Sequence, residues 1–190
     1  MKITDDSLFK IFQPSQNSCY ATTLHIAFRV LDIKISIRSI NKLAHYNLKY
    51  GVHEGGAETR INEDLGKKYD FVIKSKNNLS VDYLKKIIAD KDSSPPILIL
   101  NIEYLNLHGK KFQVYPPMGP EDQVPQHQII LNDINEKESE LVDTYIPYYD
   151  LALKNPLKIS TPKLLNLWFE NSAIWVEHRI KQDNLIRHLQ

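Results

Sequence analysis

Cys19 is the single cysteine of the 190-residue sequence, and it stands where a helical pattern begins. A thiol at the start of a helix lies at the positive end of the helix dipole, which favours the thiolate and lowers the pKa. A structural role also fits, because an isolated cysteine is most often a small buried hydrophobic side chain. Cys19 is therefore a candidate nucleophile whose activity depends on partners elsewhere in the chain.

Side-chain amides precede this cysteine. Gln13, six residues upstream, could donate a hydrogen bond to an oxyanion, with the backbone N–H of Cys19 as the second donor. Gln16, three residues upstream, is a competing candidate at a less suitable spacing. The alternative for Gln13 is an ordinary glutamine in a surface loop.

A histidine and an aspartate could complete the site. His127 and Asp143 fall in two β-rich runs, 127–132 and 140–145, which a polar link at 135–138 joins as a predicted hairpin. We expect His127 to pair directly opposite Asp143, with Cβ atoms about 5 Å apart on one face. At that distance the carboxylate accepts from an imidazole N–H and fixes its tautomer. A cross-strand pair on the surface is the alternative.

The elements that must position these residues follow from hydrophobic periodicity and capping residues. A buried helix is expected from Cys19, capped by Asn17 or Ser18, and further helices are expected from Ser36, about Glu58, Ser80 and Thr161. Further strands are expected at 70–73, 97–100 and 173–176. This order predicts an α+β fold in which an N-terminal helical half packs on a mostly antiparallel sheet.

One domain should contain the whole chain, because 190 residues suit a single compact core. We expect residues 1–190 to form it, with the core at about 10–178, a tail at 179–190, and the Pro-rich stretch 103–126 as a wall or lid of a cleft.

Composition limits the classes of partner. Hydrophobic residues make up 42% and charged residues 25%, and the net charge of +1 gives no overall attraction to nucleic acid or anionic membranes. The sequence has neither a signal-peptide pattern nor an apolar run long enough for a membrane span. We therefore expect a cytoplasmic protein by default, leaving open its delivery as a secreted effector, and the sequence leaves its oligomeric state undetermined.

The order of Gln13, Cys19, His127 and Asp143 resembles that of the papain-like cysteine peptidases. It is closest to the bacteriocin-processing (double-glycine leader) peptidase domains, in which a Gln lies six residues before the Cys and an Asp sixteen after the His. The resemblance implies a Cys19–His127–Asp143 triad, an oxyanion hole that includes Gln13, a peptide or protein substrate, and no cofactor. Two departures are Tyr20, where relatives have Gly or a small residue, and a longer stretch between Cys19 and His127.

Several alternatives remain at this stage. The same triad could serve an acyltransferase, including one resembling transglutaminases, and the fold could also be a non-catalytic binding module or a structural domain with a buried Cys19. A metal site at His45, His53 and Glu54 is disfavoured because its spacing matches no standard ligand set, whereas Tyr145, Tyr148 and Tyr149 could line a substrate groove.

Overall fold

A computed structural model gives the fold. It describes residues 1–15, 17–48, 51–52, 55–101, 126–144 and 155–179. Several predictions fall outside these residues: Gln16, His53, Glu54, most of the 103–126 stretch, Tyr145, Tyr148, Tyr149 and the tail beyond residue 179.

The helix that begins at the cysteine is the longest of the helices among the described residues. Helix α1 spans Cys19–Val30 and follows Ser18, as predicted. Most of its side chains are buried, as predicted, and Leu24 and Ala27 are fully inaccessible to solvent. The other helices are α2 (Ile37–Leu43), α3 (Ala57–Ile61), α4 (Val81–Ala89) and α5 (Thr161–Leu167), with a π-helical turn at Asn62–Gly66 and a 3-10 helix at Leu8–Lys10.

Serine caps fix two of these helix starts as expected. The Ser36 hydroxyl accepts from the backbone N–H of Ser39 at α2, and the Ser80 hydroxyl accepts from that of Tyr83 at α4. None of the described helices has the length and apolar character needed to cross a bilayer.

A six-stranded antiparallel sheet forms the centre of the described fold. Its strands are β1 (Phe71–Lys76), β2 (Ile97–Asn101), β3 (Gln126–Ile134), β4 (Glu138–Val142), β5 (Leu157–Ser160) and β6 (Trp168–His178). The spatial order is β1-β6-β2-β3-β4-β5, so the last strand in sequence lies inside the sheet. The sequence did not predict β5. The α+β fold with an antiparallel sheet is confirmed.

Alternation along the strands gives the sheet two apolar faces. In β2, Ile97 joins the buried cluster built around α1, whereas Leu98 joins the cluster that contains residues of α4 and α5. In the first cluster the ring of Phe28 on α1 meets that of Phe71 on β1 edge to face, with centroids 4.7 Å apart. Helices therefore cover both faces, and α1 is held firmly against one of them.

The predicted register of the hairpin is wrong by two residues near the site. Ile130 pairs with Val142, so continuing the ladder sets Asp143 opposite Ile129 and diagonal to His127. The Asn135 carboxamide closes a tight turn, accepting from the N–H groups of Lys137 and Glu138, and this shifts the hairpin centre. A bulge follows between Leu131 and Asp133. Because the shift is an even number, His127 and Asp143 still share a face.

Candidate active site

The sulfur of Cys19 lies at the first residue of α1, half-buried and surrounded by polar groups. Burial raises the pKa of the thiol, but a hydrogen bond and charge interaction with His127 oppose this effect. Backbone N–H groups of Gln128 and Tyr20 also donate to the sulfur. Together these donors lower the pKa of Cys19 below its usual value of 9.0. The thiolate is therefore the favoured form at a lower pH than for an ordinary cysteine.

The imidazole beside this sulfur is bonded to a buried carboxylate. Nε2 of His127 lies 2.9 Å from Oδ1 of Asp143, and the two residues are 3% and 0% exposed. Burial opposes protonation of the ring, but the charge and hydrogen bond of Asp143, with a further contribution from Cys19, raise the pKa of His127 to about 10. Since Nε2 is occupied by the carboxylate, Nδ1 is the nitrogen left to face the sulfur.

Gln13 reaches the site from the N-terminal segment and is 4% exposed. Its backbone N–H donates to the carbonyl of Thr144 at 2.7 Å. Its side-chain Oε1 accepts from the Thr144 hydroxyl at 3.2 Å. Because this contact fixes the oxygen end of the amide, it also fixes where the NH₂ end points. The candidate oxyanion donor is thus anchored on the residue that follows Asp143.

Asn155 is a site component that the sequence analysis missed. Its Oδ1 accepts from the backbone N–H of Asp143 at 3.0 Å, and its Nδ2 donates to the Asp143 carbonyl at 2.8 Å and to the Phe9 carbonyl at 3.0 Å. An asparagine twelve residues after an aspartate has no signature of its own. Only the folded backbone reveals this contact, as it does for Thr144.

The backbone of Gly51 packs behind the residues that lead to the nucleophile. Gly51 has φ +74°, and a Cβ at this position would stand 2.8 Å from the Asn17 carbonyl oxygen. The Tyr46 and Ser15 hydroxyl groups are 2.6 Å apart in the same region. Glycine at position 51 therefore permits the close approach that supports the turn before Cys19.

Tyr20, at the position where the resemblance implies Gly or a small residue, is accommodated in the protein interior. Its side chain is 5% exposed and its hydroxyl donates to Glu58 on α3 at 3.1 Å. Burial, followed by the charge of Glu58, raises the pKa of Tyr20 well above its usual value. The bulky ring therefore packs against α3 and stays protonated.

The structure thus brings Cys19, His127 and Asp143 into one hydrogen-bonded series, and it ties Gln13 to that series through Thr144. Within the ranges that the structure describes, three or more His, Cys, Asp or Glu side chains nowhere converge as a metal site would require. The arrangement suits attack of a thiolate on a carbonyl carbon, with an acid beside it.

Sequence comparisons give no assignment, because no protein-family model and no curated protein matches the chain. Solved structures do match. The peptidase domain of Streptococcus ComA, a bifunctional ABC transporter involved in quorum sensing, superposes with a TM-score of 0.56 at 15% identity, covering 89% of this chain and 97% of that one.

Two further structures agree. A double-glycine-motif protease from an AMS/PCAT transporter, solved with its leader peptide, gives a TM-score of 0.55 at 12% identity and covers 88% of this chain and 89% of its own. A protein described as a C39-like peptidase, from Bacillus anthracis, gives 0.60 at 16% identity and covers 90% and 94%. The chain therefore has the fold of C39 peptidase domains, which confirms at the level of fold the resemblance seen in the sequence.

Proposed function

We propose that this protein is a papain-like cysteine peptidase that cleaves a peptide or amide bond through an acyl-enzyme. The observation that carries the proposal is the hydrogen-bonded series from the Cys19 thiol through His127 to the buried Asp143. Support comes from the fold, which is shared with peptidase domains, one of them solved with a leader peptide.

The reaction begins from a thiolate–imidazolium pair. The sulfur of Cys19 attacks the carbonyl carbon, and the oxyanion that forms accepts hydrogen bonds from the backbone N–H of Cys19 and the side-chain amide of Gln13. As the C–N bond breaks, the imidazolium of His127 gives its proton to the leaving amine. Water then attacks the thioester while His127 takes its proton, and departure of the sulfur releases the acid and restores the thiolate–imidazolium pair.

Asp143 has a supporting part in this cycle. Its carboxylate accepts from Nε2 of His127, which orients the ring and stabilises the imidazolium. The environment of Cys19 argues against the structural alternative, since a sulfur with three polar neighbours is unlike a cysteine buried in hydrocarbon.

Alkylation of Cys19 by iodoacetamide tests the activated thiolate without knowledge of the substrate. An ordinary thiol with a pKa of about 8.5 is less than about 1% thiolate at pH 6. We expect the wild-type protein to react at pH 6 at a rate within about tenfold of its rate at pH 9. His127→Ala should lower the rate at pH 6 by about tenfold or more.

His25→Ala is the matched control, because His25 is a half-buried histidine of α1 whose Nδ1 bonds the Ile35 carbonyl, 2.7 Å away. It should leave the alkylation profile unchanged. A peptide library analysed by mass spectrometry, with and without a primary amine, then distinguishes hydrolysis from acyl transfer. Slow alkylation that follows an ordinary thiol pKa and ignores His127 would contradict the proposal.

A further inference from the structure

We propose that Asn155 is a positioning residue that holds Asp143 in place for His127, an inference that rests on the function proposed above. The hydrogen bonds of Asn155 go to the backbones of Asp143 and Phe9, not to the sulfur or the imidazole. Its effect would reach Cys19 through Asp143 and then through His127.

Both ends of the Asn155 amide bracket the backbone of one residue. Oδ1 accepts from the N–H of Asp143 and Nδ2 donates to its carbonyl, at 3.0 and 2.8 Å. Asp143 needs such support because it lies one residue beyond the end of β4 at Val142, where strand pairing no longer holds the chain. With its N–H and its carbonyl both fixed, the backbone of Asp143 has little freedom to rotate.

Small rotations of this backbone would move the Asp143 carboxylate relative to the imidazole of His127. The carboxylate is fully buried and its Oδ1 lies 2.9 Å from Nε2 of His127. Charge-assisted hydrogen bonds of this kind weaken steeply with distance and angle, and the low local dielectric enlarges the change. A displaced carboxylate would hold less positive charge on His127, and the Cys19 thiolate would lose its partner.

A third hydrogen bond links the Asn155 amide to the N-terminal segment that carries Gln13. Nδ2 of Asn155 also donates to the carbonyl of Phe9, four residues before Gln13. Gln13 itself is bonded to Thr144, the neighbour of Asp143. The segment that carries the oxyanion donor and the segment that carries the carboxylate are therefore tied together at two points, and Asn155 is one of them.

Asn62 provides a matched control within the chain. Its amide brackets the backbone of Ile73 on β1 in the same way, accepting from the N–H at 2.7 Å and donating to the carbonyl at 2.9 Å. Strand β1 is at one edge of the sheet, separated from β3 by β6 and β2. Loss of the two Asn62 hydrogen bonds should therefore lower the stability of the fold without affecting Cys19, His127 or Asp143.

The experiment compares wild-type protein, Asn155→Ala, Asn155→Asp and Asn62→Ala by the pH dependence of iodoacetamide alkylation and by thermal unfolding. The aspartate keeps one acceptor for the Asp143 N–H but lacks the two donated bonds and adds a negative charge. We expect both Asn155 variants to shift the alkylation midpoint upward and to lower the rate at pH 6 by about threefold to tenfold. Asn62→Ala should lower the unfolding temperature and keep the wild-type profile.

The outcomes separate this inference from the proposed function. A wild-type profile like that of an ordinary thiol overturns both. If the wild-type thiol is activated but the folded Asn155 variants keep the wild-type pH dependence of alkylation, only the role of Asn155 is overturned. The same conclusion follows if Asn62→Ala shifts the alkylation midpoint as much as the Asn155 variants do. If neither Asn155 variant folds while Asn62→Ala does, Asn155 is a structural residue and the positioning role is wrong.

Discussion

Thr144 offers the sharpest test of how the candidate oxyanion hole is held. Its hydroxyl donates to Oε1 of Gln13 at 3.2 Å, and its carbonyl accepts from the Gln13 backbone N–H at 2.7 Å. Thr144→Val removes only the first bond, because valine has nearly the same shape and keeps the carbonyl. The backbone of the Gln13 segment should therefore stay in place while the side-chain amide loses its anchor.

The size of the effect follows from the bond that is lost. A net contribution of about 1 kcal/mol for a hydrogen bond between neutral groups corresponds to about fivefold in rate if it serves only to orient the amide. Removing the donor itself with Gln13→Ala should cost about 10²- to 10³-fold in kcat. We thus expect kcat of Thr144→Val to fall by about threefold to tenfold, between wild-type and Gln13→Ala.

Two assays locate the effect, using a peptide found to be cleaved by the wild-type protein. Alkylation by iodoacetamide forms no oxyanion, so its rate should be the same in wild-type protein and in Thr144→Val, whereas kcat should fall. Thr161→Val is the control, since Thr161 is also a buried threonine, and its hydroxyl donates to the Asn135 carbonyl at 2.7 Å. An unchanged kcat in Thr144→Val, or equal losses of kcat and alkylation, would refute the reasoning.

The structure leads to four further predictions. Asp143→Asn should lower kcat by about 10³- to 10⁴-fold and shift Cys19 alkylation to higher pH, with a circular-dichroism spectrum like that of the wild type; a collapsed fold would contradict a catalytic pair. The cleavage rate should rise with a midpoint below the usual pKa of a thiol, because the pKa of Cys19 is lowered, and fall again near pH 10, where His127 loses its proton. Because the pKa of His127 is raised from 6.5 to about 10, its pairing stabilises the fold fully below pH 6.5, and this contribution is lost as the pH rises through about 10. His127→Ala should lack that loss in thermal unfolding measured against pH. Ser80→Ala removes the N-cap of α4 and should lower the free energy of unfolding, measured in urea, by about 1 kcal/mol. It should leave the rate of Cys19 alkylation unchanged, and a changed rate would contradict the prediction.

The sequence predicts the local elements well because their signals are local. The apolar stripe after Cys19 and the capping residues Ser36 and Ser80 define helices whose starts agree with the structure. The short strand β5 was missed, since it has four residues and alternates half-buried with exposed positions. A strand so weakly patterned takes its shape from pairing with β4, which is a tertiary effect.

The sequence predicted the main residues of the candidate site but only part of their arrangement. The predicted hairpin and the resemblance to papain-like peptidases suggested His127 and Asp143, and their catalytic roles stay predictions. The exact pairing was wrong because the Asn135 turn and the bulge at Asn132 shift the ladder, which no periodicity shows. Asn155 contacts the backbone of Asp143 and Thr144 contacts Gln13 through its hydroxyl and its carbonyl, so no spacing rule could have identified them.

The position of β6 between β1 and β2 has a consequence for biogenesis. Until Trp168–His178 has emerged from the ribosome, β1 cannot join β2–β5 in this sheet, because β6 is the strand that pairs with both β1 and β2. The sheet can close only after β6 inserts between β1 and β2, which lie far from it in sequence. Folds that depend on such long-range pairing form slowly. A nascent chain that lacks Trp168–His178 should therefore be unable to close the six-stranded sheet.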